Sequence, residues 1–300
     1  MKHRFNKGVI IIACGKLYLV ATPLGNLEDI TFRALKILAE VDLIAAEDTR
    51  HTLKLLNHYQ IKKKLTSYFQ HNEPERAAYL IPQILNGLNV ALVSDAGMPG
   101  ISDPGNILVR EAVKQGIMVI PIPGPSAVIT ALAASGLDTA SFRFEGFLPR
   151  KNQAQQDRLK EMTAFSGTLI FYEAPHRLAD TLRNIYEVFG ERRAVLAREL
   201  TKIHEEFIRG TLPEILAKIN GLEKLKGEFT IVVEGSQENM ALECSPDIKL
   251  VDFSTLAGPI KTVSPGSSLR SEIRAIAKQT GKTTKEIYQM YLAEQEKNKK

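Results

Sequence analysis

Short apolar runs alternate with helically spaced apolar positions along the first half of the chain. Leu17 to Ala21 reads as a strand, Glu28 to Leu38 as a helix with Ile30, Ala34, Leu35 and Leu38 on one face, and Val41 to Ala46 as the next strand. A helix carrying Leu53, Leu55 and Leu56 follows, then a strand over Leu65 to Phe69 and a helix after Pro74. Val90 to Val93 is a short apolar run that suits a buried strand, Asn106 to Gln115 a helix, Ile117 to Ile120 a strand, and Ala127 to Ser135 a helix of small residues. Helices between successive strands predict a mostly parallel sheet.

Around Leu137 to Phe147 the pattern turns to mixed polar and aromatic residues, which marks the passage into a second α/β domain. Asn152 to Thr163 predicts a polar helix, Thr168 to Tyr172 a strand, and a helix runs on to Phe189. Ala194 to Ala197, Glu205 to Arg209 and Phe229 to Val233 predict strands with more scope for antiparallel pairing, and Pro213 to Ile219 a helix. Beyond a Ser/Pro/Gly-containing stretch, Leu269, Ile273, Ile276 and Ala277 share a helical face, and Thr283 with Glu286 reads as a capping box that opens a second helix. The chain divides into an extension (1–16), an N-terminal α/β domain (17–137), a C-terminal α/β domain (138–240), a linker (241–267) and a basic helix-turn-helix-like unit (268–300).

At 300 residues the chain can bury the cores of two domains. No run reaches the roughly 18 apolar residues of a membrane span. Lys2, Arg4 and Lys7 precede Val9 to Cys14, but that apolar part is too short for a secretory signal, so a cytoplasmic location is expected. Cys14 and Cys244, far apart in sequence, offer neither a disulfide framework nor metal-ligand spacing. Net charge is +5, and between Ser245 and Lys300 eight Lys and two Arg stand against two Asp and four Glu, so most of the excess lies at the C-terminus. Such a bias suits either a solvated tail or an anionic partner such as nucleic acid.

The chemistry gathers in loops that follow strands, where open α/β sheets bind ligands. Ser94 to Gly105 interleaves Asp, Gly and Pro between a strand and a helix. The first loop, Thr22 to Asn26, has one glycine and one proline, and neither a GxGxxG fingerprint nor a P-loop occurs anywhere, which counts against nucleotide cofactors. A cofactor without phosphate remains, S-adenosylmethionine being the common one, with Asp95 and Asp103 as sources of negative potential for its sulfonium.

Seven stretches in order carry a family resemblance: Leu19 to Ile30, Ala46-Glu47-Asp48-Thr49-Arg50-His51, Ser94 to Gly105, Pro123 to Ala127, Glu145 to Pro149, Phe171 to Arg177, and Arg198 to Lys202. Over residues 17 to 235 the chain resembles the tetrapyrrole-methylase-like methyltransferases, specifically their branch acting on ribosomal RNA. The resemblance implies two α/β domains with S-adenosylmethionine in the cleft between them and a homodimer. It also implies 2′-O-methylation of a cytidine ribose of 16S rRNA in the decoding region of the 30S subunit. Carried over, the cofactor is contacted by Pro23, Asp95, Ala96, Gly97, Ile101, Ser102, Asp103, Ser126, Ala127, Tyr172 and the backbone near Glu228 and Phe229. The chain departs from the family in having Met98 where a Thr is usual.

A base for the 2′-hydroxyl is sought among acids at strand ends. Glu47 or Asp48, with Arg50 and His51 beside them, is the first choice, the alternative being a local ion pair that caps the next helix. Glu173, His176 and Arg177 come second, and His71, Asn72 and Glu73 third. Tyr172 also suits a core position and Ser126 a helix cap. For RNA, Arg143, Arg150, Lys151, Arg198 and Lys202 flank the expected cleft, and Arg270, Arg274, Lys278, Lys282 and Lys285 add charge near the C-terminus. Two other readings stand beside this one: a methylase of a small molecule such as a tetrapyrrole, and a non-catalytic RNA-binding protein of the same fold.

Overall fold

Strand β1 (Lys16–Val20) lies inside a five-stranded parallel sheet with β2 (Leu43–Ala46), β3 (Lys64–Ser67), β4 (Val90–Val93) and β5 (Met118–Ile122), in the order β3-β2-β4-β1-β5. The computed structural model describes residues 14–221, 225–237 and 283–285. Helices α1 (Phe32–Glu40) and α2 (Thr49–His58) bury Ala34, Leu38, Leu55 and Leu56 on one face of this sheet. On the other face, α3 (Glu73–Leu85) and α4 (Asn106–Lys114) bury Leu80, Ile84, Leu108 and Ala112. With both faces covered, a parallel sheet keeps apolar runs such as Val90–Val93 fully buried. Pro121 lies within β5, which an edge strand tolerates because it needs fewer ladder donors.

Helix α5 (Ala127–Ser135) leaves the first sheet and packs against the second with Val128, Ala131 and Leu132. That sheet contains β6 (Phe142–Phe147), β7 (Thr168–Glu173), β8 (Arg193–Arg198), β9 (Glu206–Thr211) and β10 (Phe229–Val233), ordered β6-β7-β10-β8-β9. Only β6 and β7 run parallel; the other pairs are antiparallel. Helices α6 (Asn152–Lys160), α7 (Leu178–Phe189) and α8 (Leu212–Asn220) supply Leu159, Leu182, Ile185 and Ile215 to the core on its other face.

Three expectations need correction. The helix placed over Glu28–Leu38 begins only at Phe32, because the Thr31 hydroxyl accepts from the Ala34 N–H as an N-cap, and Leu27–Asp29 is a separate 3-10 turn. Strand β6 escaped the sequence pattern: only Gly146 on it is fully buried, and a register shift lies between Phe144 and Phe147. The polar helix ends at Lys160 and not at Thr163.

By compactness the chain falls into two units, Met1–Leu242 and Glu243–Lys300. In the second, only residues 283–285 are described, all exposed and with Thr284 and Lys285 helical. The expected linker, the C-terminal helix pair, and Arg270, Arg274, Lys278 and Lys282 lie outside the described residues. Among the described residues no helix is long and apolar enough to cross a membrane, and no His, Cys, Asp and Glu group is placed to hold a metal ion.

Candidate active site

The loops after β1, β2, β4 and β5 all leave the same edge of a parallel sheet, so their residues meet without interrupting the strands. Thr22 and Gly97 exchange backbone hydrogen bonds of 2.9 Å, and the Thr22 hydroxyl donates to the Ser94 carbonyl at 3.1 Å. These bonds tie the first loop to the β4 loop, with Pro23 buried beside them. Gly97 turns at φ +80°, a conformation that strains any residue with a Cβ.

Glu47 and Asp95 are cross-linked through the backbone. The Asp95 N–H donates to the Glu47 carboxylate at 3.3 Å, while the Asp48 N–H donates to the Asp95 carboxylate at 3.1 Å. Burial raises the Glu47 pKa, the Asp95 N–H opposes that rise, and the charges of Asp95 and Asp48 add to it. Asp103 is pushed up to about 7 by burial and then by the charges of Glu47 and Asp95. Asp48 differs: it caps α2 by accepting from the Arg50 N–H at 2.8 Å and grips the Arg50 guanidinium at 2.7 and 3.1 Å. Those bonds hold its pKa far below the usual carboxylate range. Of the two adjacent carboxylates, Glu47 is therefore the one suited to accept a proton, and Asp48 fixes Arg50.

The second sheet closes the other side. Tyr172, at the end of β7, packs its ring edge-on against Phe144 and Phe147. Burial and then the charge of Asp103, in the β4 loop, push its hydroxyl up to about 12. Gly146 on β6 meets the same loop: a Cβ there would lie 2.9 Å from the Ser102 hydroxyl oxygen. Ile101 and Ser102 are exposed, with Ser102 in the left-handed region at φ 62°. Ser126 precedes α5 yet its side chain makes no cap hydrogen bond, so the expected alternative of a capping serine does not hold. Met98 is half-buried in the β4 loop.

Other expected residues have structural partners. Glu173 is buried, accepts from the Thr181 hydroxyl at 2.6 Å and from the Ala174 N–H at 2.8 Å, and lies 3.5 Å from Arg177. Arg177 donates to the Leu148 and Pro149 carbonyls, and His176 is exposed. Lys202 bridges Glu199 and Glu228 at 2.9 and 3.1 Å and lies over Gly25, where a Cβ would come within 2.4 Å of its Cγ. Arg198 faces Glu206, and Arg143 pairs with Glu145. Arg150 and Lys151 are exposed, and neither has an ion-pair partner among the described residues.

Sequence reasoning missed the support under the β4 loop. The buried Tyr68 hydroxyl donates to Glu73 at 3.2 Å and accepts from the Leu108 N–H at 3.1 Å, while the Gly105 N–H donates to the same Glu73 oxygen at 3.0 Å. The end of β3 thereby holds the start of α4. Glu73 stood only among third-choice acids, and a strand-end Tyr five residues before it was the available signal.

The converging carboxylates Glu47, Asp95 and Asp103 repel a phosphate and suit a cation, so the donor set fits a sulfonium cofactor. Two surface grooves, of about 440 Å³ between α3 and α4 and about 380 Å³ between α6 and α7, lie elsewhere.

Comparison with known proteins identifies the family and the fold. The profile of the family described as Tetrapyrrole (Corrin/Porphyrin) Methylases matches residues 16–216. The Ribosomal RNA small subunit methyltransferase I of Halalkalibacterium halodurans is 48% identical over 277 residues, 92% of this chain and 94% of its own length. Its namesake in Vibrio cholerae is 51% identical over 224 residues, 74% and 78% of the two chains. The crystal structure of uroporphyrin-III C-methyl transferase from Thermus thermophilus complexed with S-adenyl homocysteine shares the fold, with a TM-score of 0.52 at 18% identity over 73% of this chain and 97% of that one. The chain belongs to the tetrapyrrole (corrin/porphyrin) methylase family, in the branch of the ribosomal RNA small subunit methyltransferases I.

Proposed function

We propose that this protein methylates small-subunit ribosomal RNA, with S-adenosylmethionine as methyl donor and a cytidine ribose 2′-hydroxyl of 16S rRNA in the decoding region as acceptor. The observation that carries the reading is the meeting of Glu47, Asp95 and Asp103 at one edge of the first sheet, opposite Tyr172. The name of the relatives supplies the substrate class. When bound, S-adenosylmethionine supplies a methyl group on a cationic sulfur, which makes it electrophilic.

In this reading the chain itself has three tasks. Pro23, Ala96, Gly97, Ile101, Ser126, Ala127, Tyr172 and the strand start at Glu228 and Phe229 line the cofactor's place, and the Asp95 and Asp103 carboxylates balance its charge. Glu47 takes the proton of the 2′-hydroxyl at its carboxylate as the oxygen becomes a nucleophile, a contribution of about 10²- to 10⁴-fold. Arg50, oriented by Asp48, holds a neighbouring phosphate, with His51 beside it on α2. Holding the oxygen in line with the sulfur supplies the remainder. The protein acts as a homodimer on the 30S subunit in the cytoplasm. The test is methyl transfer from labelled S-adenosylmethionine to 30S subunits that lack the modification, with the methylated nucleotide mapped. Transfer to a base or to a tetrapyrrole in place of a ribose overturns the reading.

A further inference from the structure

From Thr49 to Asn72 the chain has no acidic residue, while it carries Arg50, Lys54, Lys62, Lys63 and Lys64 together with His51, His58 and His71. The structure turns that bias into a surface. On α2, Thr52, Leu55 and Leu56 face the core, whereas Arg50, Leu53, Lys54, Asn57 and His58 recur at i, i+3, i+4, i+7 and i+8 and are all exposed. The helix starts at Asp48, beside the Glu47 carboxylate, and runs about 15 Å away from the cleft. Lys62 and Lys64, both exposed, follow where the chain enters the edge strand β3, and Lys64 pairs in register with Leu43 at the far end of β2.

Many cations elsewhere in the fold are paired with acids, although Arg150 and Lys151 are not. Lys114 meets Glu111, Lys160 meets Asp157 and Arg198 meets Glu206. Lys54, Lys62, Lys63 and Lys64 have no ion-pair partner among the described residues, and Arg50 keeps its side chain 87% exposed while bound to Asp48. Lysines on an edge strand also deter edge-to-edge pairing, which accounts for Lys64. That role explains neither the basic face of α2 nor the missing acids across 24 residues. A row of exposed cations that starts beside the cleft with Arg50 and is uncompensated from Lys54 on matches a polyanion extending from that cleft.

We propose that the outer face of α2 and the lysines leading into β3 form a rail for the phosphate backbone of the substrate RNA, with Lys54, Lys62 and Lys64 as contacts. The proposal rests on the reading of the substrate as RNA. It assigns RNA binding to a surface distinct from the second-sheet cations, of which Arg198 and Lys202 are already paired.

The test compares the full-length protein with the triple variant Lys54→Ala, Lys62→Ala, Lys64→Ala. A control triple, Lys114→Ala, Lys160→Ala, Lys218→Ala, removes the same charge from other surfaces. Each is assayed for S-adenosylmethionine affinity by calorimetry, for methyl transfer to 30S subunits lacking the modification, and for binding to those subunits across a salt series. The rail variant is expected to keep its cofactor affinity and kcat while KM for the subunits rises roughly tenfold. The slope of log affinity against log salt is expected to fall by about 2, the value for three lost phosphate contacts to single-stranded RNA. Arginine at the same three positions restores both, and the control triple changes neither. An unchanged KM and slope in the rail variant, or an equal loss in the control, overturns the rail and leaves the RNA reading standing. Wild-type protein that binds the cofactor but transfers nothing to the subunits overturns the RNA reading and the rail with it.

Discussion

Carboxylates stand at both sheets, Glu173 buried on β7 and Glu47, Asp95 and Asp103 half-buried in the loops after β2 and β4, and they are solved in opposite ways. Glu173 in the second sheet is surrounded by donors: Thr181, the Ala174 amide and Arg177, with Thr181 in turn accepting from Gln155 at 3.1 Å. Among the described residues, Glu47, Asp95 and Asp103 in the first have two backbone N–H donors between Glu47 and Asp95 and otherwise face one another's charge. A carboxylate saturated with donors serves the fold, because losing it orphans its partners. Carboxylates left in mutual repulsion lower stability and persist where a ligand's positive charge or a proton completes them.

The sharpest way to break that contrast is Glu47→Gln. It is expected to lower kcat for methyl transfer about 10²- to 10⁴-fold with cofactor affinity retained. Single-turnover transfer within twofold of wild type would move the base elsewhere. On the other side, Glu173→Ala is expected to cost about 2 kcal/mol of stability through the donors it leaves unpaired, seen as a lower denaturation midpoint, with kcat of the folded fraction unchanged. Loss of turnover without loss of stability would place Glu173 in the chemistry.

Asp103 gives a pH signature of the first group. If the cofactor's sulfonium needs an ionised Asp103, its affinity relative to S-adenosylhomocysteine, whose thioether sulfur is neutral, rises about tenfold between pH 6 and pH 8, and Asp103→Asn abolishes the rise. Parallel pH profiles for the two ligands would remove Asp103 from charge balance. The linkage sign follows from a folded pKa of about 7 against an ordinary 3.8. The folded protein holds the extra proton between those values, so stability declines as pH rises through that window, and Asp103→Asn flattens the decline. The smallest effect is expected for Tyr68→Phe. It loses the bonds to Glu73 and the Leu108 N–H and about 1 kcal/mol, measurable as a shift in thermal midpoint.

The α/β alternation, the parallel first sheet and the cofactor class were legible in residues: Val90–Val93 reads as a buried strand because four apolar side chains need both faces covered, and the one-glycine loop at Thr22–Asn26 rules out a phosphate cradle. Strand β6 was not legible, since its outward residues and the turn at Gly146 hide the period of two. The basic face of α2 was present as an acid-free run, but a run shows no direction. Which carboxylate is free and which is tied depended on tertiary placement. Glu47 and Asp48 are neighbours in sequence, yet the Asp95 backbone, 47 residues beyond Asp48, meets one while the first turn of α2 claims the other. Side-chain type and spacing determine local elements and the chemistry available; hydrogen-bond partners brought from distant strands decide which groups are left to use it.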